Sequence, residues 1–351
     1  MSTIESRYQP LRLRAVVDET HDARSLIFDV PPALAERLRY TPGQFLTLRL
    51  PVDGTDRQLP RCYSMSSAPA LDPGVLRVTV KRVAQGRGSN WICDRLQAGD
   101  MVQVLPPAGL FTPRSLDGDF LLLAGGSGIT PVFSILRSAL AQGQGRITLL
   151  YANRDERSVI FRDELKALAA ANPTRLTVIH WLDAVQGTPT VAQLAELARH
   201  ALQAQAFICG PGPFMEAARQ ALSGIGMADE RIHVERFASL PEEGAAPAEP
   251  APSTAGAAID AADVEIRIDN AVHRIRCAGT EPILDAALRA GLDVPYSCQA
   301  GMCASCMCQL VEGQVHLRHN EVLDKKDLAQ AWTLACQAVP TSARVVVKFP
   351  E

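Results

Sequence analysis

Residues 238–262 read ASLPEEGAAPAEPAPSTAGAAIDAA. Alanine, proline and acidic side chains dominate, with no aromatic residue and almost no large aliphatic one. Such a stretch cannot bury enough apolar surface to offset the entropy lost on ordering it. It therefore divides the chain, and residues 263–351 are expected to fold as a domain of their own. Residues 239–262 are expected to act as a flexible linker. About 20 residues of such coil span on the order of 60 Å at full stretch and about 25 Å on average. A tether this loose predicts a C-terminal domain that shuttles between docking sites through modest, partly polar contacts.

The C-terminal segment concentrates thiols. YSCQAGMCASCMC holds four of the nine cysteines of the chain. The spacing is Cys298-x4-Cys303-x2-Cys306, with Cys336 further on. That is the C-x4-C-x2-C…C spacing of [2Fe–2S] centres. Ala300, Gly301, Ala304 and Ser305 are small, so a loop can wrap closely and aim backbone N–H groups at anionic sulfur. A structural zinc site is the alternative, but zinc sites pair short CxxC units and this stretch offers one. Cys308 has no place in the spacing and reads as a small buried hydrophobe. VEIRI and VHRIR alternate as strands. TEPILDAALRAG has the Thr, Pro and terminal Gly of a capped helix.

Charge and patterning exclude several classes. The net charge is −3 and no Lys/Arg-rich run occurs, which argues against a nucleic-acid partner. The opening MSTIESRYQP carries no apolar leader. The longest uncharged apolar run, FLLLAGGSGITPVFSIL, is interrupted by glycines and Pro131, so it reads as strand, turn and helix rather than a membrane span. An odd number of cysteines without a leader suits a reducing compartment. A cytoplasmic monomer is the expectation.

The N-terminal part has two textures. LRLRAVVDET, SLIFDV, FLTLRL, LRVTVKRV and MVQVLP are short strands parted by turns, the pattern of an antiparallel barrel. Within it, RCYS places Arg61 and Tyr63 two apart and hence on one strand face. An Arg fork suits phosphate, and a phenol ring suits stacking on a flat heterocycle. QGRGSNW then leads into a helix, with Ser89 and Asn90 as cap residues at an N-terminus suited to phosphate. From Phe120 the texture changes to alternating strands and helices, which implies a doubly wound parallel sheet. Its first turn, Gly125-Gly126-Ser127-Gly128, lets the backbone approach phosphates, although it is not G-x-G-x-x-G.

YTPGQF, RCYS, GRGSNW, GGSGITP and CGPGPFM occur in the order seen in the ferredoxin–NADP reductase superfamily, and residues 263–351 resemble a plant-type ferredoxin. The whole chain resembles the reductase components of multi-component oxygenases that carry a C-terminal ferredoxin. VIHWLDAVQGTPT and HNEVLDKKDLAQAWTLACQA are most similar to reductases of 3-ketosteroid 9α-hydroxylases, and phenylacetyl-CoA epoxidase-type reductases share the layout. The resemblance implies a flavin-binding β-barrel (1–115), an α/β doubly wound NAD(P)H-binding domain (116–238), the linker, and an α+β ferredoxin domain of β-grasp type (263–351). It assigns the cluster to Cys298, Cys303, Cys306 and Cys336. It places Arg61 on the phosphate chain of the flavin, Tyr63 against the isoalloxazine and Ser64 near N5, with Cys62 and Lys81 close by. Gly88, Ser89 and Asn90 cap the pyrophosphate. Gly125, Gly126, Gly128, Thr130, Arg154, Cys209, Gly210 and Pro211 form the nucleotide site, and Phe237 lies against the flavin. Ser64 and Cys209 are the residues expected nearest the chemistry; no activating His marks Cys209 as a nucleophile.

The implied activity passes electrons from NADH through FAD and the [2Fe–2S] cluster to a terminal oxygenase. A flavin is needed because a nicotinamide gives two electrons at once and a cluster takes one. FAD is expected rather than the FMN of the phthalate type, because SNW follows the GRG turn. NADH is expected rather than NADPH, because Leu182-Asp183 follows strand RLTVIHW where NADPH-dependent relatives carry Ser-Arg. The competing reading is a ferredoxin-type carrier without NAD(P)H activity of its own. A stand-alone flavin reductase with a zinc-bound tail is a third.

Overall fold

Six antiparallel strands open the chain: β1 (Gln9–Thr20), β2 (Ala23–Asp29), β3 (Phe45–Leu50), β4 (Leu59–Ser64), β5 (Val75–Lys81) and β6 (Met101–Val104). The computed structural model describes residues 8–51, 59–237, 259–296, 299, 301, 304–320, 322, 323 and 325–350. The strands are ordered β4-β3-β6-β1-β2-β5. A bridge between Met65 and Val78 joins the end of β4 to β5, so the sheet closes into a barrel. Period-two burial drives this closure: Leu11 and Leu13, Leu26 and Phe28, and Leu76, Val78 and Val80 all face one interior. Helix α1 (Arg87–Arg95) follows β5 and packs Ile92 and Cys93 into the same core.

The second layer alternates strand and helix. β7 (Phe120–Gly125), α2 (Ile129–Gln142), β8 (Ile147–Asn153), α3 (Arg162–Ala171), β9 (Leu176–Leu182), α4 (Asp183–Gln186), α5 (Val191–Ala198), β10 (Gln205–Cys209), α6 (Gly212–Gly224) and β11 (Ile232–Glu235) follow in order. Every pairing in the sheet β11-β10-β7-β8-β9 is parallel. FLLLAG and ITLLYAN are buried along their whole length because helices cover both faces. The chain order reverses between β7 and β10. That is the switch point at which doubly wound sheets open a crevice at the carboxyl ends of their strands.

Contacts divide the chain into two compact units, one of which is Pro10–Phe237. The other contains β12 (Ala261–Ile268), β13 (Ala271–Ala278), α7 (Ile283–Arg289), β14 (Met307–Glu312), β15 (Val315–Leu317), α8 (Lys325–Ala329), β16 (Trp332–Leu334), β17 (Ala338–Pro340) and β18 (Arg344–Lys348). Its main sheet runs β13-β12-β18-β14-β16, with β12 and β18 parallel, and α7 buries Ile283, Leu284 and Ala287 among its core residues. This is the expected α+β grasp. Asp269 and Asn270 turn the β12–β13 hairpin with φ of 49° and 60°, the left-handed pair that a tight hairpin requires. β12 begins at Ala261 and buries Ala262, so the end of the stretch expected as linker, 239–262, belongs to the sheet; residues 238–258 lie outside the described residues.

Barrel and parallel sheet are joined by a polar seam. Arg77 on β5 donates two bonds to Glu164 of α3, at 2.8 and 3.4 Å, and a third to the carbonyl of Ser66. Its guanidinium also lies 4.8 Å from the Phe161 ring centroid and 5.4 Å from that of Phe133. Arg137 of α2 grips Asp72 through two bonds, and the Ser134 hydroxyl donates to the Ser67 carbonyl at 2.6 Å. Arg77→Ala is expected to cost about 2 kcal/mol, from two charge-assisted bonds and the cation–π contact. Glu164→Gln should cost less, because that side chain is 43 % exposed and its charge is screened. Urea midpoints followed by circular dichroism check both, and equal midpoints for wild type and Arg77→Ala would show that the seam does not depend on Arg77.

Candidate functional site

Three groups of residues assemble. The first lies on β4, where Arg61 and Tyr63 share a face and pair in register with Leu48 and Leu46 of β3. Gly88, in the first turn of α1, meets them: a Cβ there would stand 3.0 Å from Arg61 Cγ and 3.4 Å from the Tyr63 hydroxyl. A guanidinium, a phenol and a helix N-terminus therefore converge. Burial pushes the Tyr63 phenol up, against the opposing pull of Arg61, so the ring is a neutral plate. Ser64, at the end of β4, is buried. Cys62 lies on the opposite strand face with its sulfur 3.6 Å from the Thr47 hydroxyl, away from the Arg61–Tyr63 pair. The Ser89 hydroxyl accepts the Val83 N–H, and the Asn90 amide donates to the Val83 carbonyl. Those two side chains fasten the turn before α1. What the turn can offer a phosphate is its first backbone N–H groups.

The second group sits at the crevice of the parallel sheet. Ala124 pairs with Cys209, which sets the Gly125–Gly128 turn against the Cys209–Pro211 turn. The approach is backbone on backbone. A Cβ on Gly128 would lie 2.1 Å from the Cys209 carbonyl oxygen, and one on Gly210 would lie 2.9 Å from Gly125 Cα. Only glycine fits at both places. Thr130 donates to the Ser127 carbonyl at 3.0 Å, and the Tyr151 hydroxyl donates to the Gly126 carbonyl at 3.0 Å, so the turn is held from both sides. Cys209 is fully buried, and burial with the nearby Glu235 carboxyl drives its thiol well up. Both effects disfavour the thiolate that a nucleophile would need. Pro211 caps α6, and a Cβ on Gly125 would lie 2.8 Å from its ring. Phe237, just past β11, is 45 % exposed.

The sequence reading missed two residues here. Glu235 pairs with Cys209 across β10 and β11, and burial raises its carboxyl to about 7. Asp22, in the β1–β2 hairpin, collects two cations that the sequence reading placed separately. Arg154 lies 3.2 Å and Lys81 3.7 Å from the same carboxylate oxygen. Both are committed to that carboxylate, which thereby ties the barrel to the end of β8. At the same edge of the sheet, Asn153 is buried with neither side-chain atom hydrogen-bonded, and Asp183 has a buried Oδ1 without a partner. Burial raises the Asp183 carboxyl. A carboxylate with an unused oxygen at the crevice end of such a sheet suits a ribose hydroxyl.

The third group is in the C-terminal unit. Cys306 and Cys336 are 2 % and 4 % exposed, and the Cys336 N–H donates to Cys306 Sγ at 3.5 Å. Gln299, Gly301 and Ala304 take φ of 54°, 74° and 55°, each in the left-handed region. Two adjacent buried sulfurs with an N–H already aimed at one of them fit an anionic iron–sulfur cluster. Cys298 and Cys303 lie outside the described residues. Cys308 is fully buried in β14 with its thiol pushed up by burial, as expected of a small hydrophobe. Among the described residues no helix is long and apolar enough to cross a membrane.

Comparison with known proteins assigns these groups to domains. Residues 10–112 match the oxidoreductase FAD-binding domain, 122–220 the oxidoreductase NAD-binding domain and 266–341 the 2Fe-2S iron-sulfur cluster binding domain. The chain is 50 % identical over 353 residues to the ferredoxin reductase component of 3-ketosteroid-9-alpha-monooxygenase from Rhodococcus rhodochrous, covering 99 % of this chain and all of that one. It is 36 % identical to one of the subunits of 1,2-phenylacetyl-CoA epoxidase from Escherichia coli, covering 97 % and 98 % of the two chains. Phthalate dioxygenase reductase shares the fold, with a TM-score of 0.60 at 22 % identity over 99 % and 100 % of the two chains. The chain thus belongs to the family of iron–sulfur flavoprotein oxidoreductases with FAD-, NAD- and [2Fe–2S]-binding domains that includes the ferredoxin reductase component of 3-ketosteroid-9-alpha-monooxygenase.

Proposed function

We propose that this chain is the NADH-dependent reductase of a terminal oxygenase that hydroxylates a steroid ring, working as a cytoplasmic monomer. The observation that carries the reading is the 50 % identity to the 3-ketosteroid-9-alpha-monooxygenase reductase, which runs the full length of that relative. Bound FAD would turn a hydride into single electrons, and a bound [2Fe–2S] cluster would carry them one at a time. The residues of the chain then have separable tasks. Arg61 and the first N–H groups of α1 neutralise the flavin phosphates. Tyr63 supplies a neutral face for the isoalloxazine, and Ser64 a hydroxyl at its edge. Phe237 covers a further face. Gly125, Gly126 and Gly128 bring bare backbone to the dinucleotide phosphates, while Thr130, Cys209, Gly210 and Pro211 shape the pocket for the nicotinamide. Cys298, Cys303, Cys306 and Cys336 hold the cluster. None of these groups needs to move a proton by acid–base catalysis, which agrees with the neutral thiol of Cys209.

Reconstitution tests the proposal. The holoprotein, mixed with the terminal oxygenase of a 3-ketosteroid 9α-hydroxylase, should hydroxylate the steroid in proportion to NADH consumed. NADH oxidation without product would sink the steroid assignment and leave a reductase for another oxygenase.

Two features at the edge of the parallel sheet support NADH as the coenzyme. Arg154 already serves Asp22, and Asp183 presents an unpartnered carboxylate oxygen that would repel a 2′-phosphate. kcat/KM should therefore favour NADH over NADPH by roughly tenfold or more, equivalent to about 1.4 kcal/mol. Asp183→Ser should narrow the ratio chiefly by raising KM for NADH and lowering it for NADPH. Steady-state kinetics with both coenzymes checks this, and a wild-type preference for NADPH would refute it.

A further inference from the structure

Gln337 follows Cys336 directly, and its side chain folds back over the cluster loop. Its Nε2 donates to the Gln299 carbonyl at 2.9 Å and lies 3.7 Å from Cys336 Sγ. The carbonyl can only accept, so nitrogen rather than oxygen must face the loop. An amide nitrogen carries two hydrogens, one for each acceptor. The stem is fixed as well. Gly301 has no Cβ, and the place such an atom would take lies only 3.1 Å from Gln337 Cγ. The backbone is held on both sides: Gln337 N–H donates to the Leu334 carbonyl at 2.9 Å, and its own carbonyl accepts from Arg318 N–H at 3.0 Å.

We propose that Gln337 sets the reduction potential of the cluster by donating a side-chain N–H to the sulfur of Cys336. The proposal rests on the reading of Cys336 as a cluster ligand. One-electron reduction adds negative charge that is shared with the ligand sulfurs. A donor on such a sulfur stabilises the reduced form and raises the potential. Cys306 Sγ already receives the backbone N–H of Cys336, so Gln337 supplies the corresponding donor for the second sulfur. Gln337 acts through the ligand and is a positioning and tuning residue rather than a catalytic one.

The test is an EPR-monitored redox titration of the full holoprotein. Gln337→Leu keeps the volume and removes the donor. At a fixed applied potential its reduced-to-oxidised ratio should fall by about threefold to tenfold, tenfold being 59 mV for one electron. An unchanged midpoint with full cluster content overturns the proposal. If Gln337→Leu fails to load a cluster, pulsed EPR on the reduced wild-type protein carrying 15N only in Gln side-chain amides decides. A 15N coupling to the cluster supports the donor, and its absence overturns it. Cys336→Ser separates the two layers: a shifted EPR spectrum upholds the ligand assignment independently of the Gln337 result. An unshifted spectrum removes the ligand assignment and the proposal with it.

Discussion

The Arg77 guanidinium is the joint on which the electron-accepting half of the molecule depends. It is held by a carboxylate from one layer, a carbonyl from the other, and two aromatic rings. From it, contacts run in both directions. The Arg77 carbonyl accepts the N–H groups of Ser66 and Ser67, which directly continue the RCYS strand. On the other side, Phe161 follows Ile160, whose N–H donates to the same Tyr151 hydroxyl that pins the Gly126 carbonyl. The aromatic plate of the barrel and the glycine turn of the parallel sheet are thus linked by a short series of packed, hydrogen-bonded residues. A hydride can pass only between rings brought into contact, so this joint bears directly on the chemistry.

The seam is also reciprocal in charge. The barrel contributes Arg77, Asp72 and Asp22, and the parallel sheet answers with Glu164, Arg137 and Arg154. Each layer lends both signs, so a shift of one layer past the other would place like charges together. Isolated surface pairs contribute little, but Arg77 and Arg137 are 13 % and 16 % exposed and each binds its carboxylate through two bonds. Such geometry favours one register over its neighbours more than it adds net stability.

Much of this architecture was legible in the chain because its signals are local. FLLLAGGSG announces a buried strand and a phosphate turn within nine residues, and the thiol spacing announces its centre within a single loop. The seam had no such signal. Arg77 and Glu164 are 87 residues apart, and Asp22 and Arg154 are 132 apart. Asp22 reads as an ordinary hairpin acid, Lys81 as part of the flavin site and Arg154 as part of the nucleotide site, until the fold brings all three together. Ser89 and Asn90 show a different ambiguity. The side chains that suit a ligand also suit a helix start, and here they bind Val83. Glu235 carries no such signal, because HVERF reads as a closing strand and nothing in that stretch says that its carboxyl ends beside Cys209.

The strand order of the C-terminal unit has a consequence for biosynthesis. β18, which follows both of its neighbours in sequence, occupies the middle of its sheet between β12 and β14. Until Lys348 has left the ribosome, those two neighbours have no partner between them. The parallel-sheet and barrel unit ends at Phe237 and has its full complement of strands long before. Domains fold as units during synthesis, N-terminal first. The core of the grasp domain therefore cannot close until β18 has been added between its two neighbours, well after the first unit is able to fold.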